Sequence, residues 1–262
     1  MAEISASMVK ALRDASGQGM MECKKALTEA GGDMDAAMDI LRKKGLAKAE
    51  KKADREAKEG LVAIADDAAG AAMVEVLCET DFCARNDEFK AMVQQVAHLA
   101  AGCPDGPVEA TEQITHAVQA CFNKIGENMR FGRGVKISAP TVGRYVHHNS
   151  KVGVLVGVEG EIDAEVLDGL CMHVAFTDPM AISSDQIPAE EMERERRLAS
   201  EQAAETGKPP QVVEKIVEGK VRKFLSDNSL LDQPFVRDES KKVSEVLGAA
   251  KVTAFARFAI GQ

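Results

Sequence analysis

Ala72-Met73-Val74-Glu75-Val76-Leu77 reads as a buried strand, and it runs almost at once into Glu79-Thr80-Asp81-Phe82. A helix is expected to begin near Asn86 or Asp87. Two acids, a hydroxyl and an aromatic ring therefore stand at the exit of a strand, where side chains can project from a rigid base. Two readings of Asp81 and Phe82 are open on spacing alone. One is helix entry, with Asp81 as an N-terminal carboxylate and Phe82 as a core ring. The other is an exposed contact.

Working outward, Gly60-Leu61-Val62-Ala63-Ile64-Ala65 reads as the preceding strand and Asp66 to Gly70 as the turn of a hairpin. Phe89, Met92, Val93, Val96 and Ala100 then mark one stripe of a helix. The same order recurs. Gly143 and Tyr145 open a strand, His147 to Lys151 turn, Val152 to Val158 return, and Val166, Leu167, Leu170 and Val174 line a helix. Gly60 and Gly70 match Gly143 and Gly153, and His98-Leu99-Ala100 matches His173-Val174-Ala175. The separation between copies is larger at the glycines than at the histidines. The first copy therefore holds extra residues between its second strand and its helix, around Thr80-Asp81-Phe82. An insertion in one copy supports a function there, although loop tips also tolerate insertions. Between the copies, Thr111 can cap a helix carrying Ile114, Val118, Cys121 and Ile125, and Arg130 to Ile137 looks extended.

At the N-terminus, Ile4, Met8 and Leu12, then Cys23, Ala26, Leu27 and Ala30, then Met34, Ala37, Met38 and Leu41 give three short helices. Ser5 and Asp33 are the expected caps, and Gly45 is expected to close the unit. In the pair Met20-Met21, one side chain is expected in the core and the other as an adaptable contact. Arg42 to Glu59 is charged, lacks an apolar face, and reads as a solvated helix or a flexible linker. Near the other end, a charged stretch from Ala189 to Thr206 is broken by Gly207-Lys208-Pro209-Pro210, and Val212, Ile216 and Phe224 begin a returning helix. Lys251 to Ile260 reads as a closing strand.

Composition narrows the function. The 262 residues carry a net charge of −9, with no Trp and one Tyr. A nucleic-acid binder should show a basic stripe or stacking aromatics, so no direct nucleic-acid partner is expected. Neither signal nor transit pattern opens the chain, and no apolar run approaches a membrane span, so a cytoplasmic protein with no membrane partner is expected. The six cysteines lack a Cys-x-x-Cys pair and read as reduced and packed. No phosphate-binding loop, Gly-x-Ser-x-Gly or His-Glu-x-x-His occurs, and no cofactor or metal is expected. His147-His148 reads as a polar turn more readily than as a metal site.

Four stretches resemble bacterial elongation factor Ts: Leu12 through Leu27; Glu75 through Arg85; Lys124-Ile125-Gly126-Glu127-Asn128; and Gln233-Pro234-Phe235-Val236. The resemblance implies an α+β fold with a ubiquitin-associated-like three-helix domain over 1–45 and a charged connector over 46–59. Two related antiparallel-sheet and helix subdomains would follow, over 60–140 and 141–262, with a coiled-coil hairpin at 188–227 inserted in the second. It implies a guanine nucleotide exchange factor for elongation factor Tu that performs no covalent chemistry and touches GDP and GTP only through that GTPase. The other reading is a chaperone or scaffold that holds a translation GTPase without accelerating exchange. The implied contacts are Thr80, Asp81, Phe82 and Cys83 at the magnesium site of the GTPase. Arg13, Met20 and Met21 would meet its G domain, and His147 and Val236 would contact it from the second half. Two positions depart from the family's pattern: Leu77 stands where Asn is usual and Cys83 where Val is usual. Leu77 is expected to weaken hydrogen bonding at the base of the loop. Many members continue beyond the equivalent of Gln262 with a helix that also touches the partner, so a reduced affinity is expected.

Overall fold

Helix ends in the N-terminal part follow ordinary capping chemistry. The computed structural model describes residues 4–205 and 209–261, with α1 at Ala6–Ser16, α2 at Met20–Glu29 and α3 at Met34–Lys52. The Ser5 hydroxyl accepts from Met8 N at 3.2 Å, the Asp33 carboxylate accepts from Ala36 N at 2.9 Å, and Gly17 ends α1 at φ 69°. Leu12, Cys23, Leu27, Ala37 and Leu41 close a small core of their own.

Gly45 does not stop α3, which continues to Lys52. It is buried, and a Cβ there would stand 2.6 Å from Asn123 Oδ1, so the missing side chain serves a close approach between helices. The charged stretch is helical as far as Lys52 and is not wholly solvated. Ala49 packs against the neighbouring core, and the Lys52 ammonium reaches the Gly126 carbonyl.

Next come β1 (Glu59–Asp66), β2 (Gly70–Cys78), α4 (Asp81–Arg85), α5 (Asp87–Ala101), β3 (Gly106–Val108), α6 (Glu112–Ile125) and β4 (Met129–Ser138). These strands form an antiparallel sheet in the order β1-β2-β4-β3. In the β1–β2 turn, the Asp67 carboxylate accepts from Ala69 N and Gly70 N and bonds Lys136, whose ammonium holds its pKa below the usual value.

The second half contains β5 (Thr141–Val146), β6 (Val152–Glu159), α7 (Ala164–Thr177), α8 (Ala189–Ala204), α9 (Pro210–Asn228), β7 (Pro234–Phe235), β8 (Asp238–Lys242), α10 (Val243–Leu247) and β9 (Lys251–Ala259). Its main sheet is antiparallel in the order β5-β6-β9, and β7 pairs with β8. Helices α8 and α9 lie side by side, with Ala199, Ala203 and Val221 buried. Val212 is exposed, and Val221 takes the buried position on α9. Pro210 opens α9 at a position that needs no N–H partner; Thr206, Gly207 and Lys208 of the expected turn lie outside the described residues.

Strand β2 is buried at every position because both faces of its sheet are covered. Val74 and Val76 face α5 and α6, while Ala71 and Met73 face the second sheet. There they meet Leu155 and Phe258. Gly153 permits this contact, since a Cβ on it would fall on Val62 Cγ1 and within 2.8 Å of Met73 Sδ. Val62 N donates to Ser150 O at 2.7 Å and Lys151 pairs with Glu59 at 2.6 Å, joining the sheets along one edge.

Candidate functional site

Where β2 ends, the chain makes one short helix before the long one. Thr80, at φ −128° and ψ 155°, is the N-cap of α4, and its Oγ1 accepts from Cys83 N at 3.1 Å. Asp81 and Phe82 thus form the first turn of a helix, not an open loop. The opposite side of α4 is anchored: Cys83 and Ala84 belong to the core beneath α5. Cys83 is 3 % exposed, which corrects its placement among the contact residues; it is a base for its neighbours. Phe82, by contrast, is 79 % exposed. That excludes the core-ring reading. Asp81 pairs with Arg85 one turn on, at 3.0 Å, with both side chains open to solvent.

The base of this tip is held by charged and polar side chains. The Thr80 hydroxyl donates to Glu127, 3.0 Å from each carboxylate oxygen. Glu79 Oε1 accepts from Asn128 N at 2.5 Å, and Glu79 Oε2 pairs with Arg55 at 3.4 Å. Asn128 Nδ2 donates to Arg55 O at 2.7 Å. Leu77 itself is buried, and the hydrogen bonding at the base comes from Glu79 and Thr80. Beneath lie protonated thiols. Hydrogen bonding to Cys83, and then burial, push the Cys78 thiol up, and burial pushes Cys121 up to about 12. All six cysteines are free. With their thiols pushed up, Cys78 and Cys121 are poor nucleophiles and poor metal ligands. Among the described residues no group of three or more His, Cys, Asp and Glu is placed to hold a metal ion.

The remaining candidates occupy other places. Met20 and Met21 are 48 % and 66 % exposed at the start of α2, so neither is core; Cys23, Ala26 and Leu27 supply the buried face. Arg13 is exposed in the last turn of α1. His147 lies in the β5–β6 turn, with Nδ1 2.7 Å from the Tyr145 hydroxyl and its ring 4.2 Å from that of His148. Val236 follows β7 with its side chain partly exposed, and its N donates to His173 Nδ1 at 3.2 Å.

Beside Val236 the structure shows surface that the spacing rules did not single out. Phe176 is 80 % exposed on α7, and Met172 and Met180 are also exposed. Arg237 Nη2 donates to Met172 Sδ at 3.6 Å. The available signal was the composition of α7, which is apolar around most of its circumference, whereas one buried stripe would suffice. The brace from Glu127 and Asn128 was also missed, because a contact between distant segments leaves no periodicity.

These features define a mixed α/β protein, with antiparallel sheets and ten helices among the described residues, that presents an exposed acid–aromatic helical turn on a fixed base. The family model for elongation factor Ts matches residues 79–262. An elongation factor Ts of Thioalkalivibrio sulfidiphilus is 42 % identical, over 99 % of this chain and 92 % of that protein. Its counterpart in Hydrogenovibrio crunogenus is 44 % identical over the same shares, and that of Paramagnetospirillum magneticum is 44 % identical over 100 % and 93 %. The chain belongs to the elongation factor Ts family, whose members are translation elongation factors.

Proposed function

We propose that this chain is the guanine nucleotide exchange factor for elongation factor Tu and acts in the cytoplasm. The observation that carries the reading is Phe82, 79 % exposed beside Asp81 on a helical turn whose other side is locked into the core. A large ring held out in water is stable there only at a cost that binding can recover. Burying it between helices of the GTPase is worth about 1.5–3 kcal/mol. The factor binds the nucleotide-free GTPase more tightly than the GDP form, so by linkage it weakens GDP. Asp81 disturbs the groups that hold the water shell of the partner's Mg²⁺. Once the ion is lost, the phosphate charge is uncompensated and GDP leaves faster. Freeing Asp81 from Arg85 costs little, since an exposed pair of this kind is worth about 0.3–0.5 kcal/mol.

The same reading assigns 1–45 as the ubiquitin-associated-like domain, with α3 running on into the 46–59 connector, and 60–140 and 141–262 as related subdomains. The α8–α9 pair, within 188–227, is then the inserted coiled-coil hairpin. Arg13, Met20 and Met21 meet the G domain, and His147 and Val236 make contacts from the second half. No bond is made or broken by this chain.

The test is stopped-flow release of a fluorescent GDP from purified elongation factor Tu, with wild type, Asp81→Ala and Phe82→Ala. Strong acceleration by wild type that falls in both variants while binding persists supports the reading. Binding without acceleration overturns it in favour of a chaperone or scaffold.

A further inference from the structure

A five-residue helix cannot hold its own orientation, because so few hydrogen bonds do not offset the cost of nucleation. The pitch of α4 therefore depends on its cap and on the residues it buries. Cys83 and Ala84 fix how deep the helix sits. What fixes its rotation is the Thr80 hydroxyl, which is caught from both sides. It accepts from Cys83 N at 3.1 Å and donates to both Glu127 oxygens at 3.0 Å. An anionic acceptor polarises that hydroxyl and strengthens the cap behind it. Glu127 is half-buried and stands in no ion pair among the described residues, so the Thr80 hydroxyl is the partner that accounts for its position. Its neighbour Asn128 is buried and ties Glu79 to the backbone of Ala53 and Arg55, just beyond α3. Gly126 O takes the Lys52 ammonium. Three consecutive residues of one loop thus clamp the segment that carries the tip.

We infer that Glu127 is a positioning residue for nucleotide exchange: through the Thr80 hydroxyl it sets the angle at which Asp81 and Phe82 are presented to the GTPase. This rests on the exchange reading and extends it to a residue that need not touch the partner.

The experiment measures the maximal rate of GDP release at saturating full-length protein, and the half-saturating concentration. The proteins are wild type, Phe82→Ala, Glu127→Ala, Glu127→Gln, Thr80→Val and the Thr80→Val/Glu127→Ala double variant, each first checked for its thermal midpoint. Glu127→Ala should lower the maximal rate about fivefold, the worth of one helix cap, with a smaller change in half-saturation. Glu127→Gln, which keeps an acceptor oxygen, should recover most of the loss. The double variant should be no slower than Thr80→Val alone, because both changes break one bond. A wild-type maximal rate for Glu127→Ala, or losses that multiply in the double variant, overturns the assignment. If Glu127→Ala fails to fold, Glu127→Gln and Thr80→Val decide: near-wild-type and slowed rates respectively support it, and equal rates overturn it. Phe82→Ala separates the two claims. Unimpaired release with that variant sinks the wedge itself, whereas slow release there beside normal Glu127→Ala sinks only the brace.

Discussion

The two halves of the molecule pass from a β-hairpin to a helix in different ways. In the first, β2 leads through Glu79, Thr80 and α4 into α5. In the second, β6 reaches α7 through Gly160 to Asp163 with no helix between, and Gly160 takes φ 89°. The aromatic exposures fall accordingly. Phe82 stands ahead of α5, whereas Phe176 stands near the end of α7, 79 % and 80 % exposed. The paired histidines diverge as well. His98 is exposed on α5, while His173 is fully buried on α7, with Nε2 2.8 Å from Gln233 Oε1 and Nδ1 accepting from Val236 N. Hairpin and helix are thus a common frame, and what distinguishes the halves is carried in the link and on the outer helix face. The first half spends extra chain on a braced tip. The second uses a buried histidine of a core helix to hold the β7 segment.

The comparison can be broken most sharply at the aromatic rings. Phe82→Ala should reduce the acceleration of GDP release about tenfold to hundredfold, the loss of one buried aromatic contact. Its thermal midpoint should stay near wild type, because the ring is exposed in the free protein. Comparable loss from Phe176→Ala would place the decisive contact in the second half. A second test addresses the joint between the sheets. Gly153→Ala pushes a methyl onto Val62 and Met73 and should cost about 1–3 kcal/mol in chemical unfolding, with the exchange rate of the remaining folded protein preserved. An unchanged midpoint would mean that the sheets part without strain.

The histidines give a pH test. Burial lowers the His173 pKa below 6.5, against a hydrogen bond donated to Gln233 Oε1 that raises it, so the unfolded chain binds the proton more readily. The neutral ring therefore contributes stability that is complete above pH 6.5 and is lost as pH falls through the lowered folded value. His173→Gln should flatten the decline in thermal midpoint between about pH 7.5 and 5.5. Equal slopes for the variant and wild type would show that His173 titrates alike in both states. The smallest expected effect is at the tip's surface ion pair. Arg85→Ala removes an exposed partner of Asp81 worth about 0.3–0.5 kcal/mol and should change exchange less than about twofold.

Much of this was legible because it is local. The caps at Ser5 and Asp33, the hairpin turn at Asp66 to Gly70 and the closing strand from Lys251 follow from side-chain chemistry and spacing within a few residues. Gly45 misled for a related reason. A glycine that ends a helix and one that admits a neighbouring helix look alike until Asn123 is in place. Met20 and Met21 misled because periodicity says which face is apolar but not how much of it the neighbours cover.

By itself, the sequence determined the two hairpin-then-helix units and the other long helices, the apolar continuity of β2 and the family to which the chain belongs. Each of these depends on residue type and short-range spacing. Only the tertiary structure decided that Cys83 is buried while Phe82 is not, that α7 keeps a second apolar face in water, and that Glu127 reaches back to Thr80. The physical reason is that burial and long-range hydrogen bonds belong to pairs of segments far apart in the chain. Neither segment carries a mark of its partner until the sheets and helices close on one another.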